Sequence, residues 1–144
     1  MKTNVYGALM ILVLALLVSV PMTQAQVRAR AEVGFDFSLD QKSMPAGAYE
    51  ISSVNSSVIA VRNLDTRQGQ LVIEPMRVQA SQAAGIPHAK LVFRKYGDQY
   101  FLAQIWNGES NIGIGFAESK LEKEVKMAGN ALPNTPETVI VAMK

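Results

Sequence analysis

An all-β domain, either an antiparallel β-sandwich or a small β-barrel of seven to eight strands with one short helix in its C-terminal half, is the fold class that three observations predict. Residues 27–39 alternate apolar and polar side chains with a period of two, turn-forming residues recur at short intervals, and one capping signal, Ser119-Lys120-Leu121-Glu122, opens a single late helical pattern. Repeats and low-complexity tracts are absent from the sequence.

Ahead of this domain, Met1-Lys2-Thr3-Asn4 gives a basic start, 5–20 is an apolar run, Pro21 breaks it, and Thr23-Gln24-Ala25 offers small residues to a peptidase. That is the layout of a secretory signal peptide over 1–25. The run of 16 residues falls short of the ~20 that a spanning helix needs, so cleavage before Gln26 is expected rather than a retained anchor. The chain is then exported, periplasmic or extracellular, and meets a membrane only during export. Residues 26–144, 119 in number, fit one domain able to hide about two-thirds of its unfolded-chain surface. Lys2 is one of the 14 basic side chains, which leaves 13 against 12 acidic ones and a formal charge of +1. A balance so even excludes the concentrated basic surface that drives nucleic-acid binding. There is no cysteine, which removes disulfides, thiolate catalysis and cysteine-ligated zinc together.

Each element has a local cause. Over 27–39, Val27, Ala29, Ala31, Val33, Phe35, Phe37 and Leu39 form the apolar side of a half-buried strand. Thirteen residues exceed the usual strand of about five or six, so Gly34 is placed as a bulge or bend that lets one strand serve two parts of a curved sheet. Met44-Pro45-Ala46-Gly47 is expected to reverse the chain into a strand over 48–54, since Pro45 fixes φ and Gly47 relaxes steric limits. Asn55-Ser56-Ser57 turns it again into the β-branched stretch 58–64. After the polar loop 65–69, the extended pattern 70–78 is interrupted by Pro75, the mark of an edge strand or bulge. The irregular connection 81–88 contains Gly85 and Pro87, and loops of this kind carry function. Gly97-Asp98 joins 90–96 to 99–106 as a hairpin in which Gly97 supplies the positive φ of a type II′ turn. The turn pairs Tyr96 with Gln99, Arg94 with Phe101 and Val92 with Ala103, and assigns Leu91, Phe93, Tyr100, Leu102 and Trp106 to the core face. Ile112, Ile114 and Phe116 alternate with Gly113 and Gly115 in a short strand. Ser119 and Glu122 then form a capping box for a helix over 120–128, with Leu121, Val125 and Ala128 as a narrow apolar stripe. Gly129-Asn130 ends the helix, and 138–143 is a last strand. The first and last strands are natural partners, because both chain ends need one.

Catalytic signatures are missing. His88 is the only imidazole and has no companion at metal-ligand spacing, the acidic residues Asp36, Asp40, Glu50, Asp65, Glu74, Asp98 and Glu109 are scattered, and no nucleophile elbow or phosphate loop occurs. Neither cofactor nor metal is expected. Alternation of Lys120, Lys123 and Lys126 with Glu118, Glu122 and Glu124 describes a solvated helix face, with Glu122 supporting Lys126. Arg94 is expected over Phe101 as a cation–π pair. The expected function is therefore a non-enzymatic binding or interaction module whose partner is a protein or a small molecule. As an alternative, a structural subunit would self-associate by strand addition through Val27, Ala29, Ala31 and Val33. A small apolar-ligand carrier is the other alternative, with Tyr49, Phe93, Tyr100 and Trp106 as candidate lining residues.

Four segments, Phe35-Asp36-Phe37, Met44-Pro45-Ala46-Gly47-Ala48-Tyr49, Lys90 through Leu102 and Ser119-Lys120-Leu121-Glu122-Lys123-Glu124, resemble in order and spacing a family of small exported bacterial proteins that recur in soil bacteria and whose function is uncharacterised. The hairpin segment is the specific part. The chain departs from the family in having Ala117-Glu118 before Ser119 where the family has a Leu-Pro lead-in. The resemblance implies an exported, β-rich protein and carries no site residues.

Overall fold

The computed structural model describes residues 28–144 except 74, 82, 84 and 130–134; the expected signal peptide over 1–25, the expected mature terminus Gln26 and the strand candidate Val27 lie outside them. Extended, alternating segments give eleven strands among the described residues: β1 (Arg28–Val33), β2 (Phe37–Leu39), β3 (Lys42–Met44), β4 (Gly47–Asn55), β5 (Val58–Asn63), β6 (Gly69–Ile73), β7 (Met76–Gln79), β8 (Lys90–Tyr96), β9 (Gln99–Trp106), β10 (Ile112–Gly115) and β11 (Glu137–Ala142). One helix among the described residues, α1 (Lys120–Ala128), precedes β11. Three more strands form than expected, because 27–39 and 70–78 each split in two and 42–44 is extended.

The strands make two sheets, β1-β4-β5-β6 and β11-β8-β9-β10-β7, with β2 and β3 attached to the second through β9. They pack as a small β-sandwich rather than a closed barrel. At one side the sheets are sewn together: Ala31 bridges Met143, and Arg30 and Lys144 exchange both backbone hydrogen bonds, at 2.9 and 2.8 Å. The expected pairing of first and last strands is thus formed. At the other side β6 and β7 do not pair with each other.

A bent hairpin crosses between the sheets. The break at Gly34-Phe35-Asp36 lies where the bend was expected, but the chain reverses at Asp40-Gln41 and not at Met44–Gly47. Asp40 takes φ 56°, a left-handed conformation that aspartate tolerates. Pro45 and Ala46 form a corner instead, turning β3 of one sheet into β4 of the other. The corner is held from three sides. Asp36 Oδ1 accepts from Ala46 N at 2.7 Å, the Tyr49 hydroxyl donates to the Pro45 carbonyl, and Asp65 Oδ2 accepts from Ala48 N at 3.1 Å. Gly47 is required there: its φ is +146°, and a Cβ would stand 2.7 Å from Asp65 Oδ2. The buried side chain of Asn63 closes the neighbouring loop, its Oδ1 accepting from Asp65 N and Thr66 N at 2.9 Å each.

In the β8–β9 hairpin Gly97 has φ 58°, and Asp98 has no positive φ, which agrees with the type II′ turn. Tyr96 opposes Gln99 and Arg94 opposes Phe101 as expected, but a bulge shifts the register between Val92 and Phe93, so that Phe93 meets Leu102 and Val92 meets Gln104 instead of Ala103. Beyond the bulge the faces exchange. Ile105 joins Leu91 in the core, and Trp106, expected in that core, turns to the opposite face of the sheet. The core between the sheets gathers Val33, Phe37, Leu39, Met44, Tyr49, Val61, Leu91, Phe93 and Leu102.

Candidate functional site

A serine followed three residues later by glutamate starts α1. Ser119 Oγ accepts from Glu122 N at 3.1 Å, which is half of a capping box. The other half is diverted. Glu122, expected on a solvated face, is 1% exposed and is the most deeply buried residue of the helix, while Leu121 of the expected apolar stripe is exposed. Its carboxylate receives Arg94 Nε at 2.5 Å and Nη2 at 2.9 Å, and the Tyr96 hydroxyl at 3.1 Å. Arg94 Nη2 also donates to the Phe116 carbonyl at 3.3 Å. The fork of a guanidinium on a carboxylate is the geometry in which a buried pair is compensated. The bond to Glu122 raises the Arg94 pKa above its ordinary value. Burial, together with the adjacent Glu122 charge, pushes the Tyr96 phenol up to about 12. Arg94 therefore faces Phe101 in register without serving it as a cation–π partner; among the described residues the cation near a ring is Lys95, 5.7 Å from the Tyr100 centroid. Lys126 pairs with Glu118 at 3.0 Å rather than with Glu122, a bond that lowers the Glu118 pKa. With Arg94, Glu122 and Tyr96 each engaged, this node fastens α1 to the outer face of β8.

Of the candidate ligand-lining residues, Tyr49, Phe93 and Tyr100 come together in the core, and Trp106 stands apart from them. Tyr49 and Phe93 are fully buried, in a chain of rings running Tyr49, Phe37, Phe93, Phe35, Tyr100 with centroid separations of 5.1, 5.2, 5.1 and 3.9 Å. Edge-to-face and stacked contacts of this kind fill space rather than enclose it. Trp106 lies on the other face, its indole N–H donating to Gln104 Oε1 at 3.0 Å, its ring so close over β10 that a Cβ on Gly113 would stand 2.7 Å from it. Beside Trp106, Ala80, Ile86, Pro87, His88 and Ala89 border an open groove with Ile140. Among the described residues no group of three or more His, Cys, Asp or Glu is placed to hold a metal ion.

The strand candidates fare differently. Ala29, Ala31 and Val33 pair in register with β4, at Ile51, Tyr49 and Gly47, Ala31 and Val33 bury their side chains, and the outer edge of β1 at Arg30 is occupied by Lys144. An open edge is β6, in the 70–78 segment where Pro75 predicts an edge strand or bulge. Asn63 N donates to Gln68 O at 2.7 Å, and the register Val61↔Gln70, Ile59↔Val72 continues that set of bonded pairs. Strand alternation then turns the N–H and C=O of Leu71 and Ile73 away from β5. Both side chains are exposed, 57% and 71%, with Met76 close behind them. Leu71, Val72 and Ile73 form one wall of a cleft of about 460 Å³ whose other wall is Gly115–Ser119 and whose base includes Leu39 and Asp40. A signal was present: Leu71-Val72-Ile73 is an unbroken apolar run in a strand where only alternate residues can face inward.

No protein-family model, curated protein or solved structure matches the chain.

Proposed function

We propose that this chain is an exported, non-enzymatic β domain that works as a binding module in the cell envelope or outside the cell, and that β6 is its binding edge. One observation carries the reading: an exposed apolar strand with outward-pointing backbone groups borders a cleft large enough for an extended chain. A partner segment laid along Leu71–Ile73 adds a fifth strand to the four-stranded sheet, its main chain giving affinity and the cleft accepting alternate side chains. The edge is short. Lys42 Nζ donates to the Gly69 carbonyl at 2.7 Å and covers one end, and Pro75 interrupts the other, devices that restrain open-ended sheet growth. Export is supported by the signal-peptide pattern and by the resemblance to small exported proteins.

A photo-crosslinking residue placed at Ile73 in the full chain, expressed in its own host, tests this. Discrete adducts with another polypeptide are expected, and they disappear when Leu71 is replaced by Lys. Adducts with a second copy alone would favour the structural-subunit reading, moved from β1 to β6. Crosslinking no stronger than at the helix-surface position Lys123 sinks both.

A further inference from the structure

The geometry points to a second binding site, independent of β6, for a single aliphatic chain with an anionic head, in the cleft where the two sheets part beside β10. Ile51 from the first sheet, Ile105 from the second and Met143 from the join between them, all buried, form its base. Ile114 extends the apolar wall, and Ile112, 45% exposed, stands at its mouth. Among the described residues Arg77 is the only charged side chain lining the cleft, with the hydroxyls of Ser53 and Ser110 and the amide of Asn107 completing a polar rim. Its guanidinium is lightly committed: Nη2 donates to the Ser56 carbonyl at 3.4 Å, and it makes no ion pair among the described residues. The nearest acid on the adjoining loop, Glu109, is exposed and receives Asn107 Nδ2 at 3.3 Å.

An apolar base with one cation at the rim selects amphiphiles by sign. A carboxylate head gains a charge-assisted bond from Arg77, whereas an ammonium head of equal chain length is repelled. Size selects as well. The cleft holds about 340 Å³, near the lower end of the roughly 300–1,000 Å³ of ligand sites. At about 30 Å³ per chain carbon, the volume of a water in the liquid, that admits a single chain of about ten carbons.

Decanoate and decyltrimethylammonium, titrated separately into the full-length protein carrying labelled isoleucine methyls, provide the test. Decanoate is expected to shift the Ile51, Ile105 and Ile112 methyls together with one-to-one stoichiometry and to bind about tenfold more tightly than the ammonium compound. Arg77→Gln should weaken decanoate by about tenfold while the methyl spectrum of the free protein stays native-like. Ile112→Trp, at the exposed mouth, should block entry, and Leu71→Lys should leave binding unchanged. Equal binding of both heads, shifts that centre on Ile73 in place of the cleft, or no shift with decanoate would each overturn the assignment.

Discussion

Tyr96 reports at the level of one proton how tightly α1 sits. Its phenol titrates at about 12 in the folded chain against an ordinary value of 10.0, through burial and the neighbouring Glu122 carboxylate. Below pH 10.0 both folded and unfolded chains keep that proton. As pH rises from there toward about 12, the unfolded chain releases it first, so stability falls with increasing pH. Tyr49, whose pKa burial also raises, adds to the same slope. Urea midpoints at about pH 9 and about pH 11 should therefore drop less in Tyr96→Phe than in the parent, and an equal drop refutes the attribution. The sequence disclosed Ser119 as a cap and Glu122 as its partner, and the cap is real. It did not disclose that Glu122 leaves the box for Arg94 and Tyr96, because those residues stand 28 and 26 positions earlier on a strand. No local spacing records such a contact.

An element that docks through charge is fragile in a particular way. Replacing Arg94 by Met leaves the Glu122 carboxylate buried without its cation and is expected to cost about 3 kcal/mol, read as a lowered denaturant midpoint with loss of helix protection. The double replacement Arg94→Met with Glu122→Leu should recover most of that loss, since the uncompensated charge is then gone. Recovery of nothing would assign the cost to lost packing of the arginine stem. At this scale the sequence was legible wherever one residue type dictates a conformation: Gly97 in its turn, Ser119 at its cap, Pro75 between β6 and β7. It was misleading where tertiary geometry chooses among permitted options. Pro45 and Gly47 suit a reversal as well as a corner, and only the second sheet decides. The bulge in β9 had a trace in Phe101-Leu102-Ala103, three consecutive buried residues that strict alternation cannot accommodate. Moving Trp106 to the outer face follows from it.

For the whole molecule the join between β1 and the end of β11 is what makes two sheets one sandwich. Met143 is buried there and its N–H donates to Ala89 O at 3.0 Å, so it ties three segments at once. Deleting Met143 and Lys144 should destabilise the domain by about 2–4 kcal/mol and speed hydrogen exchange at Lys144's partner Arg30. Unchanged exchange at Arg30 would show that the join contributes little. The sequence foresaw this pairing from the need of chain ends for partners, yet could not say whether the ring of strands closes at its far side. Closure depends on how β6 and β7 diverge at Pro75, which no alternation pattern encodes. The same join also fixes how the domain answers a pull. Arg28 and Lys144 lie at neighbouring ends of antiparallel segments, so tension applied between them peels the hydrogen bonds open one pair at a time, without loading them all together. Stretched along that axis the sandwich is expected to yield at low force, an outcome that pulling a single molecule by these two ends checks.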